Sequence, residues 1–454
     1  MADFNVIKAM IFIIIIAGCA PQKVNISQDS DNGFLYCLSG SVTAEEVTIV
    51  VKGSKTKEFG IRIVEQDTKK SIATKMTKLS ESSDFLSKTK FSGLRPGIKY
   101  NYQIFSANAT SLIASAFFTT FDNHPLSFKV VFGSCSETGS NSPIYKTISD
   151  ENPLFYLQIG DLHYENIDSN CKERFQQAYN SVFTSPLQAD LYKTLPLVYI
   201  WDDHDFGPNN SDASNPCKKE SIVAYRSHVP HYPLIFDKQN DPITQAFEVG
   251  RVVFLLTDIR SQKIRPEYKD CERTKVGTNF GSELHLQWFL NAMLNAKKAG
   301  KVVAWVCSYP WINAPGGPNY KCQESDNWGG YPEERQRIAN FIKQHDIQVF
   351  ILSGDAHMVA MDDGTNSDYA QGGGAPVKVF HSAALDRPGS YKGGPYSQGY
   401  SKEKGQFGII EITDNGNAEV CFKWYAKDKN GNIVKNTSGV EIKLDFCYEI
   451  FNTY

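Results

Sequence analysis

Short segments of alternating apolar and polar residues fill the first quarter of the chain. Glu46–Val51, Phe59–Val64 and Tyr100–Phe105 each place an apolar side chain at every second position, and Ser111–Thr120 offers a further extended segment. A period of two is that of a strand with one buried face. No long helical stripe interrupts these segments, so residues 24–122 are predicted to form a small all-β sandwich. No cluster of His, Asp or Cys occurs there, so its expected part is packing or positioning.

Phe121–Pro125 reads as a linker, and the pattern changes after it. Apolar runs at Phe128–Phe132, Leu154–Ile159, Leu197–Trp201, Val252–Thr257, Val302–Cys307 and Val349–Leu352 end in polar loops. Helical stretches lie between them, such as Ser282–Ala299 and Pro332–His345. The second has Pro at its first turn with acids beside it, as helix starts prefer. Strand–loop–helix alternation predicts an α/β domain over 126–450, with chemistry at the carboxyl ends of its strands. Phe407–Ile412 and Ala418–Tyr425 return to strands and extend one of the sheets.

Composition narrows the partners. Lys+Arg is 47 and Asp+Glu is 50, a formal net charge of −3, so there is no basic footprint for nucleic acid. Residues 9–18, AMIFIIIIAG, form an apolar run of ten. A bilayer-spanning helix needs roughly 20, whereas ten suit the apolar part of a secretory signal over residues 1–20. Ile16-Ala-Gly-Cys19 also resembles a bacterial lipobox, which would make Cys19 a lipid anchor and the only link to a membrane. Sequons at Asn25, Asn108, Asn209 and Asn436 suit a eukaryotic secreted chain equally. Either version puts the mature protein outside the cytoplasm, where disulfides persist.

Four loops carry one kind of chemistry. Apolar strands run directly into Gly133-Ser-Cys135, Gly160-Asp-Leu-His-Tyr164, Trp201-Asp-Asp-His-Asp205 and Ser353-Gly-Asp-Ala-His357. One Asp after a Gly is commonly a turn residue. Four such loops on neighbouring parallel strands bring carboxylate, imidazole, phenol and thiol groups together. Carboxylates and imidazoles so placed can hold two cations that share a water and clamp a phosphoryl group.

These loops, with Asp258-Ile-Arg260 and Asp326-Asn-Trp-Gly-Gly-Tyr331 followed by Glu334-Arg335, resemble the PhoD-like alkaline phosphatase and phosphodiesterase family, from about residue 127 to 420. The resemblance implies a metallophosphoesterase fold, a β-sandwich flanked by helices, preceded by a small all-β domain. Phe91–Tyr100 looks like the leucine-turn-tyrosine segment of fibronectin type III-like domains. The family implies a tyrosine-ligated ferric iron (Fe3+) with calcium as the other metal. Carried over residue by residue, Asp161 becomes the bridging carboxylate, with Tyr164, Cys135 and His357 on the iron. A disulfide or a buried thiol stays open for Cys135. Asp203 and Asp355 serve the oxygen-preferring metal, and Asp202 and Asp205 orient ligands. Asn210 or Asn209 helps to hold a cation. His204 is expected as the acid toward the leaving oxygen, and Arg260 as the grip on phosphate, with a salt bridge as its alternative. His163 lies inside the Asp161 motif and could take part or face away. Cys307 stands where many metallophosphoesterases have a histidine ligand, and is read as a buried thiol, with a disulfide partner or a ligand as its alternatives. His381 and the loop 386–390 are expected as a further pocket wall, and Asp362–Asp368 as a hydrogen-bonded turn, with a calcium loop as its alternative.

The implied activity is hydrolysis of a phosphate mono- or diester by a metal-bound hydroxide, with a phosphate ester as the partner. A non-catalytic surface-binding protein on the same fold is the alternative. Of the ten cysteines, Cys19 belongs to the leader and Cys135 to the metal. Cys421–Cys447, Cys171–Cys217 and Cys271–Cys322 are candidate pairs among 105 connectivities of eight.

Overall fold

The structure is a computed structural model describing residues 33–107, 111–122, 124–313, 323 and 326–450. The expected leader, the lipobox cysteine Cys19, and the sequons at Asn25 and Asn108 lie outside these residues. Among the described residues no helix is long and apolar enough to cross a membrane.

The N-terminal strands are β1 (Phe34–Gly40), β2 (Val47–Gly53), β3 (Lys57–Glu65), β4 (Ser71–Leu79), β5 (Leu86–Phe91), β6 (Lys99–Ser106) and β7 (Leu112–Thr119). They form two layers, β4-β3-β6-β7 and β1-β2-β5. In β3 the alternation works as written: Phe59, Ile61 and Ile63 face the core, and Glu58 and Arg62 face solvent. The Tyr100 hydroxyl accepts a hydrogen bond from the Arg95 N–H at 2.9 Å. That contact pins the turn before β6, as the leucine-turn-tyrosine reading implies.

The remaining strands build two larger sheets. β8 (Phe128–Gly133), β9 (Phe155–Ile159) and β10 (Leu197–Ile200) run parallel. β11 (Gln245–Val249) and β12 (Val252–Leu256) lead into a small hairpin, β13 (Glu267–Lys269) and β14 (Glu272–Lys275). Then come β15 (Val302–Val306), β16 (Val349–Ser353), β17 (Val359–Asp362), β18 (Lys378–Ser382), β19 (Tyr400–Ser401), β20 (Gln406–Thr413), β21 (Glu419–Asp428) and β22 (Lys443–Glu449). One sheet has the order β22-β21-β20-β8-β9-β10-β1-β2-β5, and the other β11-β12-β15-β16-β18-β17-β19. Phe132, Ile409 and Trp424 of the first share one core with Phe254, Phe350 and Phe380 of the second. Burying strands on both faces selects continuous apolar runs, as in Val302–Val306.

Helices cover the outside: α1 (Ile144–Asp150), α2 (Cys171–Thr184), α3 (Gln188–Thr194), a single turn α4 (Asp203–Phe206), α5 (Lys218–His228), α6 (Glu283–Lys298) and α7 (Pro332–His345). Ser282 caps α6 by accepting from the His285 N–H at 3.3 Å. Phe289, Leu290, Met293, Ile338 and Ile342 seat α6 and α7 on the second sheet.

The sandwich is physically continuous with the α/β domain. β1 lies parallel to β10 through Gly40 and Leu197, so one sandwich layer extends the larger sheet. Tyr36 of β1 hydrogen-bonds the His228 ring at 2.8 Å, and Tyr232 donates to the Val42 carbonyl at 2.8 Å. Cys171–Cys217 ties the start of α2 to the residue before α5, and Cys421–Cys447 crosses β21 and β22. Both pairs are those expected. Cys271 is also disulfide-bonded, while Cys322, its expected partner, lies outside the described residues. Cys37, Cys135 and Cys307 are free and buried.

Candidate metal centre

The four chemistry-bearing loops converge because small residues let their backbones meet. Gly160 has φ +78°, and a Cβ there would fall onto the Asp202 side chain and 2.9 Å from its backbone nitrogen. A Cβ on Gly354 would strike the Ile159 carbonyl and lie 2.7 Å from Ser134 Cβ. Only glycine fits these junctions. The donors just beyond them are held in the left-handed region: Cys135 at +62°, Asp161 at +52°, Asp355 at +60° and His357 at +49°. Non-glycine residues adopt it at a cost, and such costs cluster at functional sites.

One half of the cradle mixes sulfur, nitrogen and oxygen. Ligand atoms of Cys135, Asp161 and His357 lie within 4.8 Å of one another. Tyr164 sits among them, its hydroxyl donating to Asp161 Oδ2 at 2.5 Å and lying 2.8 Å from His357 Nε2. His357 Nδ1 donates to the Pro388 carbonyl at 2.8 Å, which leaves Nε2 turned inward as a lone-pair donor. Burial, aided by Lys392 and Arg387 and opposed by the hydrogen bond to the Pro388 carbonyl, lowers the pKa of this imidazole to about 4, so it is neutral. Burial, then the Asp161 charge, pushes the Cys135 thiol and the Tyr164 phenol up.

The other half is made of carboxylates. Asp202, Asp203 and Asp355 offer atoms within 4.8 Å of one another, as do Asp161, Asp203 and His204. The Asn210 backbone N–H donates to Asp203 Oδ2 at 2.5 Å. Burial raises Asp161, reinforced by Asp203, Asp202 and Asp205, and burial likewise raises Asp355. Burial would raise Asp203 too, but Arg260 and His204 hold it down to about 2.

These donors fit cations. Asp161 Oδ1 and Asp203 Oδ1 are buried without a hydrogen-bond partner among the described residues. Asp161, Asp202, Asp203, Asp205, Asp326 and Asp355 are all buried, against three basic side chains in their midst, Arg260, Lys263 and Lys392. Buried carboxylates in such excess need positive charge. Thiolate, imidazole and phenolate suit a transition metal, and the carboxylates suit a harder ion. A third grouping, Glu419 with Cys421 and Cys447, is discounted because its two sulfurs form a disulfide. The cradle opens on a cleft of about 520 Å³ whose lining includes Tyr164, His204, Asp355, His357, Arg387 and Lys392.

Residues 130–423 match the family model described as PhoD-like phosphatase. The chain belongs to the PhoD-like phosphatase family. It is 28% identical over 195 residues to alkaline phosphatase D of Bacillus subtilis (strain 168), a match covering 37% of this chain and 32% of that relative. The aligned part thus spans about a third of the relative's length. A solved structure of PhoD superposes with a TM-score of 0.66 at 16% identity, over 90% of this chain and 93% of the other. A purple acid phosphatase from yellow lupin (Lupinus luteus) seeds superposes with a TM-score of 0.56 at 10% identity, over 91% and 73%. At these identities the two structures establish the shared fold.

Within this PhoD-like fold several expected roles change. Arg260 is fully buried and does not reach the cleft. Its Nε and Nη2 donate to the two oxygens of Asp202 at 2.6 and 2.9 Å, and its Nη1 donates to Asp326 at 2.6 Å. Arg260 thus forms salt bridges, its alternative role, and is not placed to grip phosphate in the cleft. Asp202 is correspondingly neutralised by Arg260 and also accepts from Ser308. Asp205 anchors backbone, accepting from the N–H groups of Leu162 and His163 at 2.5 and 3.1 Å and of Asp202 at 3.0 Å. His163 faces away. It is buried against Phe175 and Tyr179 of α2, and burial lowers its pKa to about 3. Cys307 is a buried thiol that accepts from the Trp328 indole N–H at 3.0 Å. His381 is fully buried beside Tyr396 and lies outside the cleft lining. Asp362 accepts from the N–H groups of Gly364 and Asn366, the turn expected there.

His204 lies at the cleft with its ring 4.1 Å from that of Tyr164, and its Nδ1 donates to Asn166 Oδ1 at 2.6 Å. Burial lowers its pKa, with Arg260, Lys392 and Arg387 adding to the effect against Asp203. It therefore holds a proton less firmly than its expected acid role assumes. Two side chains of the site, Asp326 and Lys392, carry no expected role from sequence, whereas Arg387 lies in the loop 386–390 expected as a pocket wall. Asp326 binds Arg260 and Lys392, and its motif is visible in sequence without its purpose. Arg387 lies 4.1 Å over the Tyr164 ring. Lys392 carries no local sequence signal.

Proposed function

We propose that this protein is an extracytoplasmic, metal-dependent phosphoesterase acting on phosphate mono- or diesters. The observation that carries the reading is the convergence of Cys135, Asp161, Tyr164 and His357 beside the aspartate half of the cradle. Cys135, Asp161, Tyr164 and His357 would hold a ferric iron, while Asp161 with Asp203 and Asp355 would face a calcium ion. Bound cations would supply Lewis acidity toward a phosphoryl group and would acidify water at neutral pH.

The chain's own residues do the rest. Pro388 and Asn166 fix the tautomers of His357 and His204. Arg387, paired with Glu137, and Lys392, paired with Asp355, line the cleft and would be the cations nearest an incoming phosphate ester. His204, which lines the cleft, would carry a proton to the leaving oxygen, and its help grows as the pH falls. Membership of the PhoD-like phosphatase family and the likeness to alkaline phosphatase D of Bacillus subtilis support phosphate-ester chemistry. The two disulfides among the described residues suit an oxidising compartment.

Hydrolysis of p-nitrophenyl phosphate and bis-p-nitrophenyl phosphate tests the reading. Metal-replete protein should release p-nitrophenol, lose the activity on chelation and regain it with iron and calcium. Hydrolysis unaffected by complete metal removal contradicts the proposal, and so does inactivity of protein verified to hold both metals.

A further inference from the structure

The two halves of the cradle differ in how their charge is balanced. In the half built from Cys135, Asp161, Tyr164 and His357, no lysine or arginine approaches a donor atom at hydrogen-bond distance among the described residues. The aspartate half already holds a cation. Lys392 Nζ lies 2.8 and 2.9 Å from the two oxygens of Asp355 and 2.9 Å from Asp326 Oδ2.

That ammonium is placed by its surroundings. Tyr396 donates to the Lys392 carbonyl at 3.0 Å, and the Gly394 N–H donates to the Ile312 carbonyl at 2.9 Å, which fixes the loop on both sides of the site. Ser390, two residues earlier, donates from its hydroxyl to the Ala356 carbonyl at 3.0 Å. Asp326 is itself shared with Arg260 at 2.6 Å and Lys263 at 3.5 Å. The Lys392 side chain is about one third exposed at 35% and lines the open cleft, so it can swing outward without disturbing the core.

We propose that Lys392 is a built-in cation of the carboxylate half, and that a second metal ion binds there only by displacing its ammonium from Asp355. The inference rests on the metal-dependent reading above. It makes the sites unequal: the sulfur-containing half fills first, and a divalent ion competes with a tethered charge for the other. An ammonium already on Asp355 cancels much of the attraction that a second ion would otherwise feel. Once displaced, Lys392 remains at the cleft mouth, where its charge faces an incoming phosphate.

Direct binding measures this without turnover. Iron-loaded protein is titrated with calcium chloride by calorimetry, and its metal content is read by mass spectrometry after equilibrium dialysis. Lys392→Met should bind calcium at least about tenfold more tightly than wild type. Lys392→Arg, which keeps the charge, should stay close to wild type. Near-ultraviolet circular dichroism and unchanged iron content establish that the variants are folded. Calcium affinity in folded Lys392→Met that equals or falls below wild type overturns the inference while leaving the metal-dependent reading intact. Wild-type protein that takes up neither metal overturns both.

Discussion

Arg260 is fully buried, and its nitrogens are committed to Asp202 and Asp326. A positive residue beside a cluster of aspartates reads in sequence as a substrate contact, because sequence does not show depth. Depth decides it: a guanidinium fully removed from water must satisfy its donors on nearby acids. Arg260→Leu would leave Asp202 and Asp326 without that partner, so it should destabilise the protein by about 3–5 kcal/mol. Urea unfolding measures this. A variant of wild-type stability with a raised KM would instead restore the phosphate-grip role. The same blindness to depth applies to His163, whose motif position suggests chemistry and whose ring packs on α2. By contrast Cys135, Asp161, Tyr164, Asp203, Asp355 and His357 are legible, because each lies within a few residues of a strand end.

At the scale of elements, strands with one wet face and helices with clear starts are readable. α7 begins at Pro332 and ends at His345, as its pattern predicts. β1 escapes the pattern because five of its seven residues are buried, which erases alternation. β4 escapes it because most of its residues are exposed at a sheet edge. The site depends on how closely such elements approach, and Gly160 sets the junction between the Asp161 and Asp202 loops. Gly160→Ala would put a side chain at φ +78° and against Asp202. It should separate the Asp161 and Asp202 loops and lower stability by about 1 kcal/mol or more. Iron content in the refolded variant is the readout. Full wild-type iron occupancy in a well-folded Gly160→Ala protein would show that the junction tolerates a side chain.

The whole molecule is more continuous than its sequence suggests. The linker Phe121–Pro125 marks a change in pattern, yet β1 pairs with β10 across it and the core runs through both parts. Pairing between distant strands has no local signature, so it cannot be read from residues 24–122. The loops that do reveal themselves lie at the ends of β8, β9 and β10 in one sheet and β16 in the other, and folding brings them to one cradle. Metal-dependent phosphate-ester hydrolysis in this cradle would depend on Asp161, the residue shared by both halves. The most direct measurement is the turnover of bis-p-nitrophenyl phosphate by Asp161→Asn beside wild type, with metal content verified in each. Activity should fall on the order of a hundredfold or more. An Asp161→Asn protein as active as wild type would contradict the assignment.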